Sequence, residues 1–564
     1  MSFKKNFRLL MGILACLIGF VSTWSTKALA NDITLENWPI QDSGRIKPYD
    51  TFAREAMQLL YGKQTYKSRK ATEVVLTWML IPEYWNSIQF VQLSHAGVRQ
   101  FLKIDKEERK YFSPQELLSN PRIALLFQQL RSLRTKGEKL KLFYQEAQRL
   151  ENQLTMLRAI QGGYALAVWP DLTSENKKWK TVQELDDSGQ QAFSKITKNF
   201  VALAAGVSGD QQLSGEKKKE IVDGVNQAVQ NFVQAAGVLK NVNMYKINAE
   251  VFYNKSNIFI WSWSFYIIAS LLLLVNWFGA SKKFQWAGWV FVAMALLLHT
   301  LGFALRIYIS GRPPVSNMYE TVIWVPWGTV IFASILERVY RKKLVLISAC
   351  VVAALCLILS GIAPAVLDPS FQPLEAVLNS TFWLTTHVLV ITISYGAFFL
   401  AWCVGNFVMV FTLLGEEKYK HQIKDASTAI YRASQIGVIL LATGIILGGV
   451  WADYSWGRFW GWDPKETWAL IALLGYLAIL HARLTHLIRH FGMAACSIVS
   501  FCLVIMAWYG VNYVLGAGLH SYGFGAGGVE WVSLAVVIQI LFVSFVALYT
   551  HKISWSTRLF KSSN

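Results

Sequence analysis

The sequence predicts an all-α polytopic membrane protein with about nine transmembrane helices, preceded by a signal peptide and a mostly helical extracytoplasmic domain. Three observations predict it. Hydrophobic residues make up 54% of the 564-residue chain, above the balance of a soluble domain. Those residues are concentrated in runs between 258 and 551 that are long enough to cross a bilayer, for which about 20 residues are needed. The first 30 residues carry an export pattern. Three regions are therefore expected: 1–30, 31–257 and 258–564.

The export pattern is Lys4, Lys5 and Arg8, an apolar stretch from Leu9 to Val21, and Ala28-Leu29-Ala30 before Asn31. Cleavage after Ala30 fits a small-x-small site. An uncleaved anchor and a lipid-modified Cys16 are the rival readings. All three place residue 31 onward outside the cytoplasm.

Residues 31–257 are polar and rich in Lys, Glu and Gln. Ser113-Pro114-Gln115-Glu116 is a helix start, with a capping Ser, a Pro in the first turn and an early acid. Leu140, Phe143, Ala147, Leu150, Leu154 and Leu157 recur at helical steps, which predicts a helix packed inside the domain. A second helical pattern over Lys217–Leu239 is expected to pair with it. None of the six cysteines (16, 350, 356, 403, 496, 502) falls in this region, so internal disulfides are excluded despite an oxidising compartment. The chain has no Cys-x-x-Cys, and therefore neither a thioredoxin-type pair nor a covalent haem attachment motif of its own.

Spans are expected at 258–278, 285–309, 321–337, 343–363, 386–414, 433–451, 467–485, 493–514 and 530–551. Alternate loops are basic: Lys282 and Lys283, Arg338 to Lys343, Lys418 to Lys424, Arg489, and Lys552 to Lys561. Basic loops face the cytoplasm. The opposite loops hold Arg312, Arg458, Lys465 and little else. The net charge of +19 thus sets topology. No basic stripe accompanies a recognition motif, so no nucleic-acid partner is expected.

Between the sixth and seventh spans the chain reads Trp456-Gly-Arg-Phe-Trp460-Gly-Trp462-Asp463-Pro-Lys-Glu-Thr-Trp468. Tryptophan offers a flat apolar face and one N–H donor. A cluster of these at a membrane border suits a large planar ligand with an apolar body and a charged rim, as haem is. An interfacial aromatic belt is the plainer reading, but it needs no such order or glycine spacing.

Residues 456–471 resemble the tryptophan-rich WWD signature of the CcsA/ResC family of cytochrome c maturation proteins. They are less like CcmF, which continues Pro-Val-Glu-Asn where this chain has Pro-Lys-Glu-Thr-Trp. The resemblance covers roughly 285–550. The stretch Trp38 to Phe52, WPIQDSGRIKPYDTF, is similar to the periplasmic region of fused CcsBA-type proteins.

His387 opens the fifth span and His520 lies in the outer loop after the eighth, one on each sequence side of the tryptophan loop. Two neutral imidazoles can fill both axial positions of a haem iron. The resemblance implies that these are the family's paired periplasmic histidines. His481 lies inside the seventh span, where an ionisable residue is a functional hypothesis by default. The resemblance implies a transmembrane haem site there, with a co-ligand from a CcsB/ResB-like partner. His299 is the in-chain rival. A straight-helix estimate puts it about 15 Å below the outer end of its span, against roughly 21 Å for His481.

Arg312 and Arg458 are candidates for haem propionates, because guanidinium forks suit carboxylates. The structural alternative is that Arg312 and Glu320 pair with one another or help to set the loop. The segment Pro314 to Glu320 resembles the family's Pro-x-Ser-Asn-x-Tyr-Glu motif. Asp463 suits either a second-layer hydrogen bond or a turn. The chain is thus expected to hold haem b, non-covalently and transiently, between His387 and His520, with Trp456, Trp460, Trp462, Asp463 and Trp468 around it. It would deliver haem, and attach it as the haem-handling part of a cytochrome c synthase, to an apocytochrome c bearing Cys-x-x-Cys-His at the outer face of the bacterial cytoplasmic membrane. Thiol-reducing proteins would serve it. Haem export or presentation without attachment is the alternative, and a scaffold role of residues 31–257 is a third reading.

Overall fold

The computed structural model describes residues 33–561 except 68, 105–108, 137–139, 172–177, 209–214, 241, 280, 341–343, 364–366, 372–381 and 516–527. The export pattern with Cys16, and His520, lie outside the described residues. The chain divides into two compact units, Met1–Ser256 and Asn257–Asn564.

In the first unit Pro39–Asp42 and Arg45–Pro48 form a hairpin. Ser43 and Gly44 make its turn, both at positive φ, as tight two-residue hairpin turns require. Ala167–Trp169 and Lys180–Thr181 extend it to four strands. These strands of two to four residues are too short to show a period of two. Trp38 is fully buried beside Tyr49 and Phe232. Helix Pro114–Leu118 starts as expected, with the Ser113 hydroxyl accepting from Glu116 N at 3.1 Å. The stripe on Leu142–Gln161 buries Ala147, Leu150, Leu154 and Leu157. It packs against Tyr49–Tyr61, Ala71–Leu80 and Pro121–Thr135, within the unit. The expected pairing with the second pattern is corrected. That pattern is helix Gly215–Ala235, and it packs chiefly on Asp187–Ser208. His95 caps helix Ala96–Leu102, its Nδ1 accepting from Val98 N.

The second unit holds, among the described residues, nine helices long and apolar enough to cross a membrane. They are α1 Ile258–Trp277, α2 Lys282–Ser310, α3 Met318–Tyr340, α4 Leu344–Ile362, α5 Phe382–Gly415, α6 Lys420–Trp456, α7 Pro464–Leu484, α8 His490–Ile505 and α9 Val529–Lys561. A π-helical turn, Met506–Leu515, prolongs α8. Helix α6 begins well before the expected 433, because its first turns are polar (Lys420, His421, Lys424) and invisible to hydropathy.

Helices α5 and α6 form the most extensive pair. Gly444 allows their approach. A Cβ there would lie 2.4 Å from the Ile391 side chain. Small residues at such crossings let backbones come close, which is how apolar helices associate without a hydrophobic driving force. Described cysteines 350, 356, 403, 496 and 502 are all free thiols.

Candidate functional site

Helices α3, α5, α6, α7 and the π-helical turn surround a cavity at one end of the bundle. It is open at its mouth and encloses about 230 Å³, somewhat under the roughly 300–1,000 Å³ of ordinary small-molecule sites. Its walls are mainly apolar and aromatic: Val388, Ile391, Ile445, Trp451, Phe459 and Trp460.

His387 lies in this wall. Its Nδ1–H donates to the Gly444 carbonyl at 3.0 Å. A carbonyl can only accept, so the bond fixes the tautomer with the ring's lone pair on Nε2. That is how a second-layer oxygen prepares an imidazole for a metal. The ring lies nearly parallel to Trp451, at 6.0 Å and 11°. It also rests over Gly448, where a Cβ would stand 2.7 Å from its Cε1 and Nδ1. The run Gly444-x-x-x-Gly448 therefore does two things. It supplies the carbonyl that orients the ring and the bare backbone on which the ring sits.

The tryptophan loop is built between two helix ends. Helix α6 stops at Gly457, whose φ of 66° suits a C-terminal cap. Helix α7 starts at a capping box: the Asp463 carboxylate accepts from Lys465 N at 3.0 Å, and Glu466 reaches back to Asp463 N at 3.1 Å. Glu466 also accepts from Gly461 N at 2.8 Å. One carboxylate thus holds the two N–H groups that flank Trp462. Trp462 itself sits at φ 56°, a left-handed conformation that costs a non-glycine residue roughly 1–2 kcal/mol. The residue is 69% exposed, and its ring is edge-on to Trp460 at 5.8 Å and 88°.

The expected site residues divide accordingly. His387 and Trp460 line the cavity. Trp456 packs on Trp451 from behind, 4.7 Å away, and Trp468 is half-buried on α7; neither is part of the lining. Asp463 is the helix cap. Arg458 extends over Gly461, where a Cβ would collide with its guanidinium, with its Cζ 6.0 Å from the Trp456 ring. Neither it nor Arg312 is among the described lining residues.

The alternative pairing of Arg312 with Glu320 is also corrected. Glu320 belongs to Arg306, a fully buried partner at 2.8 Å. Arg306 further donates to Pro369 O and faces the rings of Tyr319 and Phe371. The second Glu320 oxygen accepts from Ser316 N and Oγ. A buried charge needs such partners. The motif Pro314 to Glu320 is thereby a brace that sets the start of α3, from which Ser316 and Asn317 reach the cavity.

His481 lies 18 positions beyond Asp463, about 27 Å along α7 at 1.5 Å per residue. It is exposed on the bundle surface, and its Nδ1–H donates to Leu477 O at 2.7 Å. His299 is fully buried, with Nε2–H donating to Ile323 O and Nδ1 accepting from the Tyr266 hydroxyl. Both its nitrogens are used in packing α1, α2 and α3 together.

Sequence reasoning missed Trp451, Phe459, Lys465, Trp508 and Asn512, all in the lining. The Trp508 indole nitrogen and the Asn512 carboxamide oxygen are buried without a hydrogen-bond partner among the described residues. Such atoms mark where a ligand's polar groups fit. An open apolar slot, an imidazole with its lone pair fixed at Nε2, and the Trp508 donor and Asn512 acceptor make a set suited to a metalloporphyrin.

The family model described as "Cytochrome C assembly protein" matches residues 315–520, the segment that contributes most of this cavity. The chain is 29% identical over 504 residues to Protein NrfI of Wolinella succinogenes, covering 86% of this chain and 53% of that protein. It is 31% identical over 296 residues to the cytochrome c biogenesis protein CcsA of Parasynechococcus marenigrum, covering 47% of this chain and 95% of that protein. With the CcsA of Guillardia theta it shares 32% over 308 residues, 50% of this chain and 99% of the other. The chain thus spans about half the length of NrfI and nearly all of these CcsA proteins.

Proposed function

This chain belongs to the CcsA-type cytochrome c biogenesis proteins, and we propose that its cavity holds haem for attachment to apocytochrome c. The family supports a role in cytochrome c biogenesis for this multi-pass membrane protein. The observation that carries the finer reading is His387, oriented by Gly444 in the wall of an apolar cavity beneath the tryptophan loop.

In this reading His387 supplies one axial ligand and His520, on the other sequence side of the tryptophan loop, the other. Ligation from both sides shields the iron until delivery. Trp451, Trp460 and Phe459 cover the porphyrin's apolar faces. The excess of Lys and Arg in the opposite loops supports an orientation with this end of the bundle at the outer face of the membrane.

An apocytochrome brings Cys-x-x-Cys-His to the mouth, and its histidine displaces one axial ligand. Each cysteine S–H then adds across one haem vinyl group. A carbon–sulfur bond forms at the carbon next to the ring, the hydrogen ends on the terminal carbon, and the vinyl double bond becomes single. The chain's contribution is orientation and exclusion of water. The thiols arrive reduced by other proteins.

His481 would meet haem on its way outward. Its exposure on the bundle surface favours a co-ligand from a CcsB/ResB-like partner. The engagement of both His299 nitrogens argues against an in-chain one.

Incubation of the purified full chain, with its membrane partner where one co-purifies, with haem and a reduced Cys-x-x-Cys-His peptide tests the proposal. Covalent haem on the peptide, lost in His387→Ala, is the expected result. Haem that binds but never becomes covalent would favour export or presentation instead.

A further inference from the structure

We infer that Lys465 is the residue that takes the carboxylates of the porphyrin, and so sets which edge of it faces α7; the inference rests on the haem reading above. Haem is an apolar disc with two propionates on one edge and its vinyl groups away from them. Apolar walls leave those carboxylates without partners unless a cation stands at the wall, because an unpaired buried charge is costly.

Among the described lining residues Lys465 is the one cation. It opens the cavity face of α7, and Ala469, one turn further, lines the same cavity. Its acidic neighbours are already engaged. Asp463 accepts from the Lys465 backbone N–H, and Glu466 accepts from Gly461 N and Asp463 N. No described ion pair includes the Lys465 ammonium. Arg458, by contrast, is laid over Gly461 and the Trp456 ring. With the propionate edge drawn to the start of α7, the vinyl edge is turned away from it. The same lysine therefore bears on which vinyl carbons meet the incoming thiols.

The test is titration of the purified full chain with haem and with its dimethyl ester, in which both propionates are esterified. Wild type, Lys465→Met and Lys465→Arg are compared by visible spectra. Wild type should prefer haem by about tenfold or more, a difference of roughly 1.4 kcal/mol. Lys465→Met should weaken haem by about the same factor while leaving the ester within about twofold, and Lys465→Arg should restore most of the loss. Equal binding of the two porphyrins by wild type overturns the Lys465 assignment alone. An equal loss for both in Lys465→Met also overturns it, because a merely structural role predicts that result. Failure of wild type to bind either porphyrin overturns the haem reading with it.

Discussion

The imidazole of His387 donates from Nδ1 to the carbonyl of Gly444, 3.0 Å away on the neighbouring helix. The bond joins the most extensive helix pair of the bundle to the tautomer of the candidate ligand. Helix α6 therefore orients the ring and supplies the bare backbone at Gly448 on which it rests.

Gly448→Ala should reproduce much of the effect of His387→Ala without removing the histidine. The new Cβ would stand 2.7 Å from the imidazole, so the ring must shift. Haem occupancy should fall by about tenfold, equivalent to roughly 1.4 kcal/mol. Visible absorbance per mole of purified protein measures it. Occupancy equal to wild type would show that ring placement at Gly448 is unimportant.

The Arg306–Glu320 pair is fully buried. Removing one partner from such a pair costs about 3–5 kcal/mol, whereas replacing both with apolar groups is often close to neutral. Glu320→Gln should therefore lower the thermal unfolding temperature in detergent strongly, and the double change Arg306→Met with Glu320→Leu should recover most of it. Equal loss in single and double variants would mean that the contacts to Ser316 and Pro369 matter more than the charge balance.

Asp463→Asn should leave haem binding close to wild type, since asparagine caps helices nearly as well as aspartate. Asp463→Ala should cost about 1 kcal/mol of helix stability and loosen the tryptophan loop, read as faster proteolysis near Gly457. A loss of haem in Asp463→Asn equal to that in the alanine variant would instead assign the carboxylate's charge to the ligand.

Acid should loosen the start of the first unit through Glu36. Burial alone would raise its carboxyl, but hydrogen bonds and charge from Lys255 and Lys70 outweigh that and hold it below the ordinary 4.5. A depressed carboxyl contributes stability that is complete above the unfolded value and is lost as pH falls through the folded one. Glu36→Gln should therefore exchange amide hydrogens faster over residues 33–60 near neutral pH, the difference from wild type closing as the pH falls through the lowered folded-state value. A difference that persists in acid would assign the effect to packing.

Much of this was legible in the sequence, for identifiable reasons. The spans showed because bilayer crossing demands long apolar runs. The loop from Trp456 to Trp468 showed because its order exceeds what an aromatic belt needs. The lining contributed by Trp451 did not show, because a tryptophan inside an apolar span is indistinguishable from core until its neighbour across the helix crossing is known. Lys465 was read only as an outer charge, since its turn toward the cavity depends on where the Asp463 cap starts α7. Arg306 and Glu320 are separated by 14 positions and a loop, beyond the reach of helical periodicity. The hairpin at Pro39–Pro48 is too short for alternation to declare it.

The most direct test of the account is the visible spectrum of the detergent-purified protein, comparing wild type, His387→Ala and His520→Ala with and without imidazole. The account predicts a six-coordinate b-type spectrum in wild type, weakened by either change and restored by added imidazole. An unchanged spectrum in His387→Ala would contradict it and move the iron to another histidine, with His481 the first to examine.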